Sequence, residues 1–162
     1  YLLAGPNREK IEEEFGSKHH GLLLEYFSND PRGTGSALAK IEEKIEDTFI
    51  AVNGHVISDV DIDEMLETHR EEGFPATMAL TTVENPTEYG VARLKGRSIL
   101  GFEEKPERGE EPSRLINAGT YIFEPEIFSH LKHETIEEAF EELAGQKNLT
   151  GYMYGGEWKD FK

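Results

Sequence analysis

Short apolar runs alternate with helix-like segments from the first residue to residue 73, and this alternation constrains the fold more than any other feature. Apolar runs at 1–4, 21–27 and 48–53 resemble buried strands, and each is followed by a turn and a segment with helical periodicity. The run at 48–53 is apolar at nearly every position, as expected of a strand covered on both faces. The alternation predicts an α/β fold with a mostly parallel, doubly wound sheet.

The remainder of the chain is richer in strand-like segments. Further strands are predicted at 76–83, 90–94, 98–102, 116–123 and 150–154. Two helices are predicted from capping signals, because Asp61 precedes Glu64 by three residues and Thr135 precedes Glu138 by the same spacing. We therefore expect a Rossmann-like fold whose central sheet is mostly parallel with antiparallel additions and has helices on both faces.

The amino-acid composition limits the classes of molecule that the chain can bind. The chain carries 33 acidic and 17 basic residues, which gives a formal net charge of −16. Such a charge repels phosphate backbones and anionic lipids, so we expect no nucleic-acid partner and no membrane partner. The apolar runs are shorter than a membrane span, and no signal peptide is visible. The absence of cysteine excludes disulfides and is typical of a cytoplasmic protein, which is the location that we expect.

Two motifs follow predicted strands, where ligands of doubly wound sheets usually bind. Gly33-Thr34-Gly35 opens a helix-like segment, and its glycines allow an anion to approach backbone N–H groups. Asn53-Gly54-His55 ends a strand with a side chain that can ligate a metal. Taken alone, the first motif is more often a simple turn, and the second is more often a structural or surface histidine.

Two further motifs combine residue types that suit phosphorylated sugars. In Glu103-Glu104-Lys105-Pro106, Lys105 can neutralise a phosphate and Glu104 can accept hydrogen bonds from sugar hydroxyls. In Trp158-Lys159-Asp160, the carboxylate is a ligand type that Mg²⁺ prefers. The alternatives are a solvated surface ion pair and an isolated aspartate. The sequence contains no P-loop, no HExxH motif and no EF-hand loop.

Taken together and in order, these motifs make the chain resemble the sugar-1-phosphate nucleotidylyltransferases, the family of glucose-1-phosphate thymidylyltransferase and mannose-1-phosphate guanylyltransferase. The resemblance extends from residue 1 to residue 162. Eight matching segments carry it: Asn7-Arg8-Glu9-Lys10-Ile11, Gly33-Thr34-Gly35-Ser36-Ala37-Leu38, Val52-Asn53-Gly54-His55, Thr68-His69-Arg70, Tyr89-Gly90-Val91, Glu104-Lys105-Pro106, Ile116-Asn117-Ala118-Gly119 and Trp158-Lys159-Asp160.

The resemblance implies a Rossmann-like nucleotidyltransferase fold and the transfer of a nucleotidyl group to a sugar 1-phosphate. A sugar 1-phosphate would attack the α-phosphorus of a nucleoside triphosphate, with Mg²⁺ as cofactor, and pyrophosphate would leave. Members of the family commonly form dimers or tetramers, so a homo-oligomer is expected. We expect residues 1–162 to be a single nucleotidyltransferase-like domain that is truncated at both ends and lacks the family's N-terminal Gly-rich segment.

The resemblance also implies roles in sugar binding. Gly90, Glu104 and Asn117 would contact the sugar, the glycine by leaving room for it. Lys105 would hold the sugar phosphate and act as a catalytic residue. Gly119 would keep the neighbouring strand clear of the substrate.

Among the residues that the resemblance implies for binding the nucleotide and the metal ion, one differs from the family pattern. Gly33 and Thr34 would lie against the base and ribose, and Asp160, the second catalytic residue, would ligate Mg²⁺. The family's other metal carboxylate stands where this chain has His55, and an imidazole suits Zn²⁺, Mn²⁺ or Ni²⁺ better than Mg²⁺. Asp59 matches a different family position.

Two alternatives to an active enzyme are open, and His55 motivates the first of them. The first is a catalytically silent homologue that binds a nucleotide sugar or sugar phosphate as a regulatory or assembly subunit. The second is a structural α/β domain without a ligand, which the joint presence of Glu104, Lys105 and Asn117 disfavours.

Overall fold

The computed structural model describes residues 1–28, 33–131 and 135–161. They form two compact units: a first unit of Tyr1–Glu46 with Phe128–Ala139, and a second unit of Asp47–Ile127 with Phe140–Lys162. The expectation of a single domain over residues 1–162 stays a prediction.

The first unit contains a small parallel sheet and a hairpin. Its strands are β1 (Leu2–Ala4), β2 (Lys18–His19), β3 (Leu22–Leu23) and β4 (Tyr26–Ser28), and its helices are α1 (Arg8–Phe15) and α2 (Thr34–Leu38). β1 pairs with β4 in parallel, and β2 pairs with β3 in antiparallel. A 3₁₀ helix over Ala39–Lys44 follows α2 and buries Ile41. The predicted strand 1–4 and the helix that follows it are confirmed.

The prediction of one buried strand over 21–27 is wrong. His20 and Gly21 have φ angles of 46° and 87°, so they form a two-residue turn between β2 and β3. The turn reverses the chain at the start of the apolar run, and the run is divided between β3 and β4. Leu22 and Leu23 lie on the surface, 67% and 81% exposed. An apolar run therefore identified strand-forming residues but not the point at which the chain reverses.

The second unit is built on a six-stranded sheet. Its strands are β5 (Phe49–Val52), β6 (Val56–Ser58), β7 (Ala76–Thr82), β8 (Gly90–Lys95), β9 (Ser98–Glu104), β10 (Leu115–Phe123), β11 (Leu149–Met153) and β12 (Trp158–Asp160). The sheet has the order β5-β10-β7-β11-β9-β8, and β6 pairs with β12 in a separate antiparallel ribbon. The remaining α-helices of the described chain are α3 (Ile62–Glu72) and α4 (Ile136–Gln146). Within the described residues, no helix is both long enough and apolar enough to span a membrane.

The six-stranded sheet is mixed, and the prediction of a mostly parallel sheet is wrong. In this sheet only β7 and β11 pair in parallel, whereas β10 runs antiparallel to both β5 and β7. β10 also meets β8 where Ile116 lies opposite Val91, which closes β10, β7, β11, β9 and β8 into a small barrel-like circuit. Hydrophobic patterning identifies strands but does not encode their direction, because direction depends on the connections between strands.

Helices cover both faces of this sheet, as predicted. On one face, Met65 of α3 packs in a buried cluster with Ala79, Ile122 and Tyr152. On the other face, Phe140 of α4 lies 5.2 Å from Tyr121, measured between ring centroids. Tyr121 and Ile122 are consecutive in β10, so their side chains project to opposite faces.

The edge strand β5 differs from its prediction. Its run of apolar residues indicated a strand covered on both faces, yet Ile50 and Val52 are 48% and 58% exposed. β5 pairs with β10 along one edge, and Phe49 and Ala51 project to the better covered face. The expectation of full burial is therefore wrong in the described part of the chain.

The cap of α3 provides a test of the fold. The Glu64 N–H donates a hydrogen bond of 3.0 Å to Asp61 Oδ1, which satisfies one of the free donors at the helix start. We expect Asp61→Ala to lower the free energy of unfolding by about 1 kcal/mol, measured by urea denaturation. Asp63→Ala, in the same first turn without the cap bond, is the matched control and is expected to cost a few tenths of a kcal/mol. Equal losses in both variants would contradict the role of the cap.

Candidate active site

The β8–β9 hairpin brings two predicted sugar-binding residues together. Gly90 lies directly opposite Glu104 in the register of the two strands. A Cβ atom on residue 90 would overlap the Phe102 ring and would lie 2.8 Å from Glu104 Oε2. Glycine is therefore required at residue 90 because the Phe102 ring packs against the backbone of β8, with the Glu104 carboxylate beside it.

Lys105 follows in an unfavourable backbone conformation. Its φ angle is 48°, in the left-handed region, although it precedes Pro106 and residues before proline are normally extended. The Lys105 N–H donates to the Tyr89 carbonyl at 3.1 Å, which holds this turn against β8. Lys105 Nζ lies 3.6 Å from Glu104 Oε1, and the lysine side chain is 60% exposed. Such strained conformations cost about 1–3 kcal/mol and cluster at binding sites.

A bulge in β10 positions Asn117. The pairing of β10 with β7 shifts between Asn117 and Tyr121, and Gly119 has a φ angle of 75° there. The Gly119 N–H donates to Asn117 Oδ1 at 3.0 Å, and the Gly119 carbonyl accepts from the Asn53 N–H at 2.8 Å. A Cβ atom on residue 119 would lie 2.9 Å from Asn53 Nδ2. The bulge thus joins Asn117 to the end of β5, and glycine is needed at its turning point.

The two predicted metal-binding residues lie at the same end of the β6–β12 ribbon. His55 Nε2 is 3.9 Å from Asp160 Oδ1. The Phe161 N–H donates to the His55 carbonyl at 2.9 Å, so the backbone holds both residues in place. Asp59 does not join them, because its carboxylate packs against Gly156. Among residues 1–28, 33–131 and 135–161, no three His, Asp or Glu side chains are grouped closely enough to hold a metal.

Tyr89 and Trp158 connect the sugar-binding and metal-binding residues. The Trp158 indole N–H donates to the Ala118 carbonyl at 3.0 Å, inside the bulge of β10. The Tyr89 ring packs edge-on against Trp158, with 5.3 Å between ring centroids. Burial, and after it the nearby Asp160 carboxylate, raises the pKa of the Tyr89 phenol above its usual value. A continuous set of contacts therefore extends from the turn at Lys105 through Tyr89 to the strand that carries Asp160.

The predicted nucleotide-binding residues belong to the first unit. Gly33 has a φ angle of 149° and precedes α2, and Thr34 Oγ1 accepts a hydrogen bond of 3.5 Å from the Ile136 N–H. The α2 helix has five residues, so it carries little dipole and adds little to anion binding. Seven of the nine predicted site residues lie in the second unit, and only Gly33 and Thr34 lie outside it.

A surface cleft of about 610 Å³ lies between the loops before β8 and after β9. It is lined by Glu84, Asn85, Pro86, Thr87, Arg108, Glu111 and Arg114. Its two guanidinium groups are offset by two carboxylates. Backbone N–H groups, and after them the Arg108 guanidinium, lower the pKa of Glu111. The cleft therefore has no net charge with which to attract a phosphate.

Two residues occupy site positions without having been assigned a role from sequence. Tyr89 contacts both halves of the site, and Asn53 packs against the bulge. Each stands beside an assigned residue in a matching segment, Tyr89-Gly90-Val91 and Asn53-Gly54-His55. That adjacency was the signal available in the sequence, but their contacts depend on strand pairing.

The packing around Gly90 is testable. We expect Gly90→Ala to lower the free energy of unfolding by about 1–3 kcal/mol, because the new methyl group overlaps the buried Phe102 ring. Gly145→Ala is the matched control: residue 145 lies in α4, and its Cβ meets no atom within 4 Å. This control is expected to raise stability by about 0.4–1 kcal/mol. A Gly90→Ala protein as stable as wild type in urea denaturation would contradict the close packing.

Comparison with known proteins places the chain among nucleotidyl transferases. A family model described as "Nucleotidyl transferase" matches residues 3–161. The bifunctional protein GlmU of Methanocaldococcus jannaschii is 30% identical over 99% of this chain and 39% of its own length. The mannose-1-phosphate guanylyltransferase catalytic subunit beta of Danio rerio is 37% identical over 94% of this chain and 45% of its own length. The chain thus spans less than half the length of these curated relatives.

Solved structures share the fold. A crystal structure from Bacillus anthracis, assigned as a glucose-1-phosphate thymidylyltransferase in complex with sucrose, aligns with a TM-score of 0.83 and 25% identity, covering 94% of this chain and 65% of that one. A UDP-glucose pyrophosphorylase complexed with UDP-glucose aligns with a TM-score of 0.81 and 21% identity, covering 96% and 72%, and supports the fold alone. The fold is a mixed α/β nucleotidyltransferase fold. The chain belongs to the nucleotidyl transferase family, in agreement with its resemblance to the sugar-1-phosphate nucleotidylyltransferases.

Proposed function

We propose that the intact protein transfers a nucleotidyl group from a nucleoside triphosphate to a sugar 1-phosphate, giving a nucleotide sugar and pyrophosphate. One observation carries the proposal: contacts through Tyr89 and Trp158 link Glu104 and Lys105 to the strand that carries Asp160. Family membership and the similarity to a mannose-1-phosphate guanylyltransferase subunit support the same reaction class.

The sugar would bind at the β8–β9 hairpin and the β10 bulge. The Glu104 carboxylate is an acceptor for sugar hydroxyls, and the absent side chain of Gly90 leaves room beside it. Asn117 Oδ1 already accepts from the Gly119 N–H, so its amide NH₂ is the group with donors to offer a ligand. Gly119 packs against Asn53, and the absence of a side chain there would keep β10 clear of the substrate.

The phosphate would bind at Lys105. Its ammonium is exposed and lies on a turn whose backbone is held by Tyr89, so it can neutralise the sugar phosphate at a defined position. In the reaction, a sugar-phosphate oxygen forms a bond to the α-phosphorus, and the bond from that phosphorus to the β-phosphate oxygen breaks. Pyrophosphate leaves, and no covalent bond to the protein forms. The protein contributes positioning and charge neutralisation.

The residues predicted to bind the metal ion and the nucleotide would make the remaining contacts. Asp160 and His55 would hold a divalent cation, because they offer it one oxygen and one nitrogen donor, 3.9 Å apart. When bound, this ion supplies positive charge to the phosphates. Gly33 and Thr34 would lie against the base and ribose of the triphosphate.

The test measures pyrophosphate release by the full-length protein with several nucleoside triphosphates and sugar 1-phosphates. We expect turnover with at least one pair, and we expect Lys105→Met to lower kcat/KM about 100-fold because a phosphate loses its counter-charge. Lys95→Met, at the opposite end of the same hairpin, is the matched control and is expected to leave kcat/KM unchanged.

Two outcomes would contradict the enzymatic proposal. If no pair of substrates gives pyrophosphate release, the reaction is excluded. If the protein nevertheless binds a sugar 1-phosphate saturably, it is the catalytically silent homologue. Equal loss of kcat/KM in Lys95→Met and Lys105→Met would exclude the assigned role of Lys105.

A further inference from the structure

The pair of His55 and Asp160 offers a metal ion one imidazole nitrogen and one carboxylate, 3.9 Å apart. We propose that this pair makes the site selective for Mn²⁺ over Mg²⁺. The inference rests on the proposed function for the purpose of the ion, but its geometry and its test depend only on the two side chains.

The backbone fixes where the two donors stand. Asp160 pairs with Val56 in the β6–β12 ribbon, and the Phe161 N–H donates to the His55 carbonyl. The Asp160 side chain is 10% exposed, whereas the His55 side chain is 38% exposed. The carboxylate is thus the enclosed donor, and the imidazole is the donor with freedom to adjust.

The separation of the donors is close to that of a chelate. Ligands at about 2.1 Å from an ion and adjacent in its coordination shell lie about 3 Å from each other. His55 Nε2 and Asp160 Oδ1 therefore need to approach by about 1 Å, which a rotation of the partly exposed imidazole can supply. The ion would then lie between an enclosed oxygen and a surface nitrogen.

The chemistry of the donors favours Mn²⁺ over Mg²⁺. Mg²⁺ is a hard ion that prefers oxygen ligands and relies on carboxylate charge, and a neutral imidazole supplies neither. Mn²⁺ accepts carboxylate, carbonyl and water oxygens as Mg²⁺ does. As a first-row transition-metal ion it also binds an imidazole nitrogen, which the hard Mg²⁺ ion binds poorly. With a single carboxylate, the site offers Mg²⁺ little negative charge, while the imidazole adds a ligand for Mn²⁺.

The small number of protein ligands also makes the site better suited to Mn²⁺ than to Zn²⁺. A structural zinc site is closed by four protein ligands, and a catalytic one uses three. Within the described chain, His55 and Asp160 are not accompanied by a third His, Asp or Glu. An octahedral ion that fills its other positions with water or phosphate oxygens suits this arrangement better than a tetrahedral one.

The test measures metal binding by the full-length protein without substrates, at about pH 8, where free histidine is neutral. Mn²⁺ is titrated by the EPR signal of the free ion, Mg²⁺ is then added as competitor, and pulsed EPR detects ¹⁴N coupled to bound Mn²⁺. We expect wild-type protein to bind Mn²⁺ at least about tenfold more tightly than Mg²⁺ and to show coupling to one histidine nitrogen.

Three variants test whether the metal preference depends on the nitrogen ligand or on the charge at residue 55. His55→Asp is expected to abolish the ¹⁴N coupling and to reduce the preference for Mn²⁺ at least about tenfold, because it supplies a second carboxylate. His55→Asn removes the nitrogen ligand without adding charge, and it should weaken Mn²⁺ binding without improving Mg²⁺ binding. His19→Asn, in the first unit, is the matched control and should behave as wild type. Circular dichroism confirms that each variant is folded.

The contrary outcomes are equally defined. Wild-type protein that binds Mn²⁺ no more tightly than Mg²⁺, or that binds neither, overturns the proposal. Coupling to ¹⁴N that persists in His55→Asp also overturns it, because the ion would then be held by another histidine. Since no substrate is present, absence of turnover would contradict the proposed function without affecting this result.

Discussion

The change of partners along β10 is the constraint on which the second unit depends. On one side, β7 pairs with both the start and the end of this strand. On the other side, the start of β10 meets β8 at Ile116, and its end, from Thr120 to Phe123, pairs with β5. The strand makes this change at the bulge, where Gly119 adopts a φ angle of 75°. A strand without the bulge would continue its register and would turn Asn117 away from the end of β5. The bulge therefore determines which residues meet at the site.

The site combines local strain with unfavourable charge, and the surrounding packing holds it in place. Lys105 has a left-handed backbone before a proline, and Gly90 and Gly119 leave no space for side chains. Aromatic packing around Phe140 and the buried cluster of Met65 and Ile122 stabilise the strands that carry them. The formal net charge of −16 repels phosphate groups, so a site that binds them needs positive charge locally. Lys105 and a cation at Asp160 would supply that charge at the two ends of the set of contacts that runs through Tyr89 and Trp158.

Several elements could be predicted from sequence because their signals are local. Asp61 starts α3, and the Thr135 N–H and hydroxyl both donate to Glu138 at the start of α4, as the capping spacing indicated. The strands near 76–83, 90–94, 98–102 and 116–123 were also recognised, within two residues at each end. The hairpin turn at His20 and the short β12 strand were missed, because a two-residue reversal and a three-residue strand are too short to produce a clear period.

Residue type and local order were enough to indicate the mixture of strands and helices, the family and the identities of the candidate site residues. The tertiary structure decided strand direction, which made the sheet mixed, and it placed Tyr89 beside Trp158. It also decided that His55 and Asp160 stand 3.9 Å apart. Pairing between strands distant in the chain sets these features, and such pairing follows from connections and bulges that periodicity does not record.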